Sequence, residues 1–473
     1  MDGALRHSFV KQILSDDPLK GQSPQSVNYG RVMKNRRLVV ISVDALFAED
    51  KALLETRPNF KAWLEHASGC VNTKSVYPTV TYPNHVAMDT GCYADRSGLY
   101  SNYHFVTTGD TGKHWIWEGE CVKVDTIFDA AKKAGYTTAN GFWPVTCYKT
   151  DSIDYHIPEY WLVNEGETVE QAFLDRGTSP EINEIVKANK KYLRAGVPYD
   201  IDKQPEYDDF IVHCDCDIIR KYKPEVLLTH WCVVDDHRHR FGIDHPKVQE
   251  SMDWVDHFFG MIVDALKAAG VYDETDIFVV SDHGQMDTQR KIKLNAFLVD
   301  RGLITLDAEG KVLDYTALMI SQGMSCHIHL KDPSNKEDWQ KTYDLLKEMA
   351  EVGIYGFQQV FTKEEVKALY HLDGPFDFVL EGDGYTSFLD GFTPPYIWRE
   401  DRTERWDHRH GKGNHGFLPS KGPKPMFWCK GPHIRPDVWL PEHEVVDEAP
   451  TYAKLIGAEL PDAQGKPMEE LLL

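Results

Sequence analysis

No apolar run in the sequence approaches the ~18–20 residues that a helix needs to cross a bilayer. Residues 1–32 also lack the apolar stretch of a secretory signal, so we expect neither a signal peptide nor a membrane span. Basic residues are outnumbered, since 52 Lys and Arg face 74 Asp and Glu and the formal net charge is -22. A protein this acidic repels nucleic-acid polymers and anionic membrane surfaces, which excludes both as general partners.

Signs of disulfide bonding are absent as well. The nine cysteines are scattered and odd in number, which favours reduced thiols in a reducing compartment and predicts a cytoplasmic protein. Cys214 and Cys216 form a C-x-C pair, but no second pair nearby completes a metal site. Hydrophobic residues make up 42% of the 473, enough for a large core, so disorder is excluded as the general state.

Short apolar runs alternate with amphipathic stretches from residue 38 onward. The runs Leu38–Val43, Val226–Leu228 and Ile277–Ser281 predict buried parallel strands. Val124–Gly135 and Val248–Gly270 have the apolar spacing of amphipathic helices. Strands that alternate with helices predict an α/β fold of three layers, in which helices cover both faces of a mostly parallel central sheet.

The organisation of the chain suggests one large domain with interruptions. Residues 1–32 are polar and weakly patterned, and we treat them as an N-terminal extension of a domain that spans 33–473. Two stretches, about 105–220 and about 290–405, break the rhythm of strands and helices. We interpret both as accessory segments inserted at the edge of the sheet where the strands end. No internal repeat and no low-complexity tract is present in the sequence.

Acidic residues follow each of the three predicted strands. Asp44, Asp235 and Asp282 stand at or just beyond the carboxyl ends, where parallel α/β sheets bind ligands. One such acid is usually a helix cap or a turn residue. Three of them, with His283 next to Asp282 and His239 four residues after Asp235, indicate a metal site.

The segment after the second strand leaves the choice of its ligands open. Asp235 and His239 are spaced i, i+4, so one helical turn places both side chains on the same face. Asp236 and His237 lie between them and are rivals for the same two roles. The sequence therefore predicts one acid and one histidine from this segment without fixing the register.

A third histidine is expected from a glycine-rich loop. His415 lies among glycines in residues 411–416, which lets the loop approach a site closely, and His408 and His410 compete for the role. Three aspartates and three histidines suit two zinc ions, because each ion needs about three protein ligands and keeps one open position. A set made only of carboxylates would instead have favoured magnesium.

Thr81 is the candidate nucleophile. It lies just ahead of a predicted helix that runs to about Gly91, and Pro83 suits the first turn of that helix. A threonine in this position is often a plain N-cap. Beside a divalent cation, however, the helix N-terminus and the metal would together favour the alkoxide, which an isolated threonine does not form at neutral pH.

Together these motifs resemble the alkaline phosphatase superfamily, and within it the nucleotide pyrophosphatase/phosphodiesterase branch. The matching segments are VVISVDAL with Asp44, YPTVTYPNHVAMDTG with Thr81, SNY with Asn102, VVDDHRHRFG with Asp235 and His239, VVSDHGQMD with Asp282 and His283, and GNHGF with His415. They occur in the family's order across residues 38–417. The resemblance implies an alkaline-phosphatase-like fold and a metal-dependent hydrolase of phosphodiester and pyrophosphate bonds.

The resemblance also implies a role for each matching residue. Thr81 would be the nucleophile that forms a covalent phospho-threonine, and Asn102 would donate a hydrogen bond to a phosphate oxygen. One zinc ion would be held by Asp44, Asp282, His283 and the Thr81 oxygen, and the other by Asp235, His239 and His415. Apart from the resemblance, the position of Tyr82 next to the nucleophile predicts that its ring stacks on a base or an aromatic leaving group.

The nucleophile segment departs from that of the sulfatases in the same superfamily. They carry C-x-P-x-R there, whereas this chain has Thr81 in place of the cysteine and His85 in place of the arginine, which excludes formylglycine chemistry.

The charge of the predicted site bears on the substrate. Three aspartates and a threonine alkoxide balance the charge of two zinc ions, and Asn102 is neutral, so the site suits a monoanionic diester. Arg96 is a nearby cation that would instead favour a monoester dianion.

Other interpretations stay open at this stage. A phosphomonoesterase or a hydrolase of carbon–phosphorus bonds would use the same residues, and an inactive homologue would bind phosphate esters without turnover. We expect a small-molecule phosphate ester as the partner, and the sequence leaves a homo-oligomer open.

The first interruption, residues about 105–220, is rich in aromatic residues, which we assign mainly to packing. They include Trp115, Trp117, Trp143, Tyr148, Tyr155 and Trp161.

Overall fold

The computed structural model describes residues 36–107, 114–160, 164, 166–193, 205–399 and 412–473. Contacts between residues group Asn35–Leu473 into one unit. The expected N-terminal extension, residues 1–32, lies outside the described residues, as do Trp161, His408 and His410.

An eight-stranded sheet lies at the centre of the described structure. From one edge to the other, its strands are Trp439–Leu440, Ser68–Cys70, Phe427–Lys430, Thr275–Val280, Arg37–Val43, Val226–Trp231, Thr138–Gly141 and Tyr155–Ile157. Neighbouring strands are parallel except at Phe427–Lys430, which is antiparallel to both of its neighbours. The prediction of a mostly parallel central sheet is therefore confirmed.

Different helices cover the two faces of this sheet. Along Arg37–Val43, Val39 and Ile41 belong to one hydrophobic cluster and Leu38 and Val40 to another, because successive side chains of a strand point to opposite faces. The first cluster includes side chains of helices Pro58–Leu64, Glu206–Tyr222 and Pro246–Ala269, and the second includes those of Ile127–Lys133 and Glu448–Ile456. Two helical layers thus enclose the sheet, as the three-layer prediction requires.

The region expected to form the first insertion is partly built into the central sheet. Thr138–Gly141 and Tyr155–Ile157 are its last two strands at one edge. The first has the sequence Thr-Ala-Asn-Gly and the second has only three residues, so neither carries the apolar run that predicts a buried strand. Helices Val169–Asp175 and Pro180–Asn189 follow them.

A second, antiparallel sheet comes from the region expected to form the second insertion. Its four strands lie in the order Ala317–Ser321, Ser325–Leu330, Phe378–Gly382 and Phe357–Thr362. Helices Leu294–Asp300 and Lys336–Val352 pack against it in a hydrophobic cluster of its own. This sheet faces the site through its loops, since Ser321, Gln322 and Gly323 line the cavity described below.

Shorter elements complete the described chain. The remaining α-helices are Lys51–Leu54, Thr81–Thr90, Ala94–Ser97, Val233–Phe241 and Lys363–Tyr370. The remaining strands are Thr73–Lys74, Met286–Asp287, Arg290–Ile292, Ile304–Leu306, Val312–Tyr315, Thr386–Phe388, Ile397–Arg399, Gly413–Asn414 and His443–Glu444. Cys214 and Cys216 both lie buried in the first hydrophobic cluster, so their C-x-C pair packs in the core. Within the described ranges, no helix combines the length and the hydropathy that a membrane crossing needs.

Candidate active site

Three adjacent strands deliver the three predicted acids to one edge of the sheet. Asp44 directly follows Arg37–Val43, the central strand of the three. Asp282 follows Thr275–Val280 on one side, and Asp235 lies in the first turn of the helix that follows Val226–Trp231 on the other. Because these strands are parallel, their carboxyl ends and the acids beyond them lie together.

The first group of side chains gathers around the ring of His283. Its Nε2 atom lies 3.4 Å from Asp44 Oδ1 and 3.2 Å from Asp282 Oδ2. The Thr81 hydroxyl oxygen lies 3.3 Å from the same nitrogen. The structure therefore brings together the four residues that the resemblance assigns to one zinc ion.

The chemistry of this group fits a cation. Asp44 Oδ1 and Asp282 Oδ2 are buried and receive no hydrogen bond from any described residue. Burial, together with His415 and His239 nearby, holds the pKa of His283 well below its usual range, so the ring is neutral and offers no charge to the carboxylates. Burial and the neighbouring carboxylates raise the pKa of Asp44 well above its usual range. A divalent cation would satisfy both unpartnered oxygens and reverse that shift.

The second group consists of Asp235, His239 and His415. His239 Nε2 lies 3.3 Å from Asp235 Oδ2, and His415 Nε2 lies 3.8 Å from Asp235 Oδ1. On the far side of each ring, Nδ1 lies 2.8 Å from the Gly413 carbonyl for His239 and 3.0 Å from the Thr79 carbonyl for His415. Because a carbonyl only accepts, each Nδ1 carries the proton and each Nε2 keeps its lone pair for a metal.

The two groups lie against each other. The rings of His283 and His415 stack with their centroids 3.9 Å apart. Ligand atoms of Asp44, Asp235 and His283 all lie within 4.8 Å of one another, so an acid of the second group also reaches the first. Two neighbouring cations fit this arrangement, since six aspartate and histidine donors from four separate segments converge on one volume.

The rival residues of the Asp235 segment point elsewhere. Asp236 Oδ2 lies 3.7 Å from the guanidinium of Arg240, and the His237 ring packs 5.7 Å from that of Phe241. Neither belongs to a group of candidate ligands in the described chain. The helical register therefore directs Asp235 and His239 towards the site, which the sequence pattern alone left open.

Thr81 is the first residue of helix Thr81–Thr90, and the preceding Val80 occupies the N-cap position with an extended backbone. The Thr81 hydroxyl approaches His283 and makes no capping hydrogen bond within the described residues. The Thr81 hydroxyl oxygen thus lies between the helix N-terminus and the imidazole of His283 and does not cap the helix. This position agrees with the nucleophile interpretation better than with a plain cap.

Asn102 and Tyr82 flank the nucleophile. The amide carbonyl of Asn102 accepts a hydrogen bond from the Tyr82 backbone N–H at 2.8 Å, which leaves the NH2 group of Asn102 for a ligand. The Tyr82 ring is buried and packs 5.2 Å from the ring of Trp115. Both residues line the cavity over the site together with Tyr103 and Trp115.

Sequence reasoning missed Glu159 and the role of two histidines behind the site. Glu159 lines the same cavity two residues beyond strand Tyr155–Ile157, and burial raises its pKa well above the usual range. His230 Nε2 lies 3.3 Å from Asp44 Oδ2, and His85 Nδ1 lies 2.9 Å from the Thr81 carbonyl. An acid at a strand end is the signal for Glu159, but its strand is too short to predict.

A comparison with known protein families places the chain in one family. The model of the family described as type I phosphodiesterase / nucleotide pyrophosphatase matches residues 38–418, which include every candidate ligand and the candidate nucleophile. The chain belongs to this family. The superfamily that the sequence motifs resembled is thereby confirmed.

Curated relatives of this phosphodiesterase-family chain are distant. An uncharacterised pyrophosphatase/phosphodiesterase of Schizosaccharomyces pombe is 25% identical over 56% of this chain and 47% of its own length. The human ectonucleotide pyrophosphatase/phosphodiesterase family member 5 is 20% identical over 76% of this chain and 68% of its own. A bis(5'-adenosyl)-triphosphatase of Xenopus laevis is 22% identical over 62% and 58%. The chain thus spans about half to two thirds of the length of these relatives.

Solved structures agree on the fold. The murine ectonucleotide pyrophosphatase/phosphodiesterase 5, solved as an inactive threonine-to-alanine variant in complex with AMP, gives a TM-score of 0.62 at 21% identity and covers 93% of this chain and 100% of its own. The human protein of the same name gives a TM-score of 0.64 at 18% identity over 92% of this chain and 100% of its own. This family member therefore has the alkaline-phosphatase-like fold.

Proposed function

We propose that this protein hydrolyses phosphodiester and pyrophosphate bonds of small molecules through a phospho-threonine intermediate at a site for two zinc ions. One observation carries the proposal. The hydroxyl of Thr81 lies 3.3 Å from His283 Nε2, the atom on which two unpartnered carboxylate oxygens also converge. An oxygen placed among metal ligands at a helix N-terminus is suited to attack phosphorus.

The residues of the chain divide the reaction between them. Thr81 Oγ1 forms a bond to phosphorus while the bond from phosphorus to the leaving oxygen breaks, and water then cleaves the bond to Thr81 and restores the hydroxyl. Asn102 donates its amide N–H to a phosphate oxygen in both steps. When bound, the zinc ions would supply Lewis-acid stabilisation of negative charge on the oxygens. One ion would be held by Asp44, Asp282 and His283, and the other by Asp235, His239 and His415.

The charge of the cavity supports a monoanionic diester as substrate. Of the described residues that line it, none is a lysine or an arginine, and the residue that meets the phosphate is the neutral Asn102. Arg96 donates a hydrogen bond to the Asp462 carbonyl at 2.7 Å and does not line the cavity. A phosphomonoester dianion would therefore lack the cationic partner that it needs in this part of the site.

The rest of the cavity supports an aromatic or nucleoside substituent. The rings of Tyr103 and Trp115 line one wall with their centroids 4.7 Å apart, and the buried ring of Tyr82 packs against Trp115 at 5.2 Å. A planar group would stack on this wall. The AMP complex of the murine relative supports a nucleotide as the ligand.

The unpaired cysteines support a cytoplasmic location.

A panel of three substrates tests the reaction class. We expect the kcat/KM for bis(p-nitrophenyl) phosphate to exceed that for p-nitrophenyl phosphate by roughly tenfold or more, because no lysine or arginine among the described lining residues balances the second charge. Phosphonoacetate should not be cleaved. A monoester rate equal to or above the diester rate would reject the diester assignment, and zinc binding without turnover of any of the three would identify an inactive homologue.

Chelation tests the metal dependence. Dialysis against EDTA should lower kcat/KM for the diester by about 100-fold or more, because the carboxylates that hold the cations would repel the phosphate once the ions are gone. Two equivalents of zinc should restore the activity, whereas magnesium should not, since three imidazoles take part. Full activity in a protein shown by metal analysis to be free of zinc would contradict the proposal.

A further inference from the structure

A second kind of metal-ligand group lies outside the candidate active site. The side chains of His104, Glu118 and Cys121 each place one donor atom within 4.8 Å of the other two. His104 Nε2 and Glu118 Oε2 are 3.2 Å apart. All three side chains are partly exposed, so an ion from solvent can reach them.

The local fold brings these three residues together. The chain doubles back after Asn102, and the His104 backbone N–H donates to the His114 carbonyl at 2.8 Å, while the Ile116 N–H donates to the Asn102 carbonyl at 2.9 Å. This return places Glu118 beside His104, although the two are 14 positions apart.

A single helical turn adds the third donor. Glu118 is the N-cap of the 3-10 helix Gly119–Cys121, so Cys121 lies three positions further on. The Cys121 backbone N–H donates to the Glu118 carbonyl at 3.0 Å, so this turn keeps the two residues close together.

Cys121 differs from the other cysteines of the chain. Eight of the nine are buried, and several of them fill the hydrophobic clusters, whereas Cys121 is only half-buried. Packing accounts for the buried cysteines. Cys121 also packs against the first hydrophobic cluster, but its side chain stays partly exposed next to an imidazole and a carboxylate, a set of sulfur, nitrogen and oxygen donors that zinc accepts.

We propose that His104, Glu118 and Cys121 form a third zinc site, in which the ion takes one sulfur, one nitrogen and one oxygen donor from the chain and a water in the fourth position. On binding, the thiol loses its proton to solvent and the thiolate bonds to zinc. The same segment carries Asn102 and Trp115 into the cavity, so the ion would fasten one wall of the candidate active site. This site does not depend on the proposed reaction.

Alkylation of Cys121 tests the proposal without any activity assay. In the metal-free protein, iodoacetamide should modify Cys121 faster than the eight buried cysteines, as read by peptide mass spectrometry. One equivalent of zinc beyond the two of the active site should slow the modification of Cys121 about tenfold or more, since a zinc-bound thiolate is shielded. Modification at an unchanged rate in excess zinc would overturn the site.

Cobalt substitution gives a second, independent test. A thiolate bound to Co2+ produces a charge-transfer band in the near-ultraviolet, whereas the carboxylate, imidazole and threonine donors of the active site produce none. We expect the band in the wild type and in the control Cys232→Ala, which removes the thiol next to Asp44 and His230 at the active site, and its loss in Cys121→Ser. Glu118→Gln and His104→Gln should weaken cobalt binding at this site tenfold or more without unfolding the protein. Absence of the band in the wild type, or its survival in Cys121→Ser, would refute the proposal.

Discussion

Replacement of Thr81 by alanine is expected to lower kcat/KM for the diester by on the order of 10⁴-fold or more, because the group that forms the covalent bond to phosphorus is lost. The fold should persist, since the hydroxyl makes no capping hydrogen bond in the described structure and alanine suits the first turn of a helix. Zinc content should also stay near that of the wild type, because aspartate and histidine donors remain for both ions. Steady-state kinetics and metal analysis of the same preparation measure both effects.

Thr81→Ser is the matched control for this variant. Serine keeps the hydroxyl and loses only a methyl group, so we expect it to retain activity within about tenfold of the wild type. If Thr81→Ala were as active as Thr81→Ser, the hydroxyl would not be the nucleophile. If both lost zinc, Thr81 would act mainly through the metal site.

The second large effect is expected at Asp235. Its two carboxylate oxygens face His239 at 3.3 Å and His415 at 3.8 Å, and it also approaches Asp44 and His283, so it lies at the border of both groups. Asp235→Asn removes the charge that a cation would meet there. We expect a loss of about 100-fold or more in kcat/KM together with the loss of close to one zinc ion per chain.

The neighbouring residue provides the control. Asp236 has the same chemistry and an adjacent position, but its side chain faces Arg240. Asp236→Asn should therefore keep both zinc ions and most of the activity, at some cost in thermal stability because the carboxylate is buried. Equal loss of zinc in the two variants would mean that the register inferred for this helix is wrong.

The centre of the fold could be predicted because its signals are local. Leu38–Val43, Val226–Leu228 and Ile277–Ser281 are nearly continuous apolar runs, and the structure buries them in or at the ends of three neighbouring strands. An acid stands at or soon after the end of each. A parallel sheet brings such ends together whatever the rest of the chain does, so Asp44 and Asp282 were predictable as neighbours.

Other parts of the site depend on tertiary contacts that leave no local pattern. Asp235 and Asp236 have equal claims in the sequence, and only the packing of helix Val233–Phe241 decides which one faces the sheet edge. Thr138–Gly141 joins the central sheet although its sequence is polar, because neighbouring strands bury it on both sides. Glu159 lines the cavity together with residues that are distant in the sequence, and Cys121 lies near His104 only in the folded chain. Spacing along the sequence does not reveal either contact.

A crystal structure of the zinc-reconstituted protein, with anomalous differences collected at the zinc edge, tests the central claim most directly. The account predicts two neighbouring peaks at the carboxyl edge of the central sheet. One would lie within bonding distance of Asp44, Asp282, His283 and the Thr81 hydroxyl, and the other of Asp235, His239 and His415. A single peak at this edge, or two peaks there of which neither contacts Thr81, would contradict it.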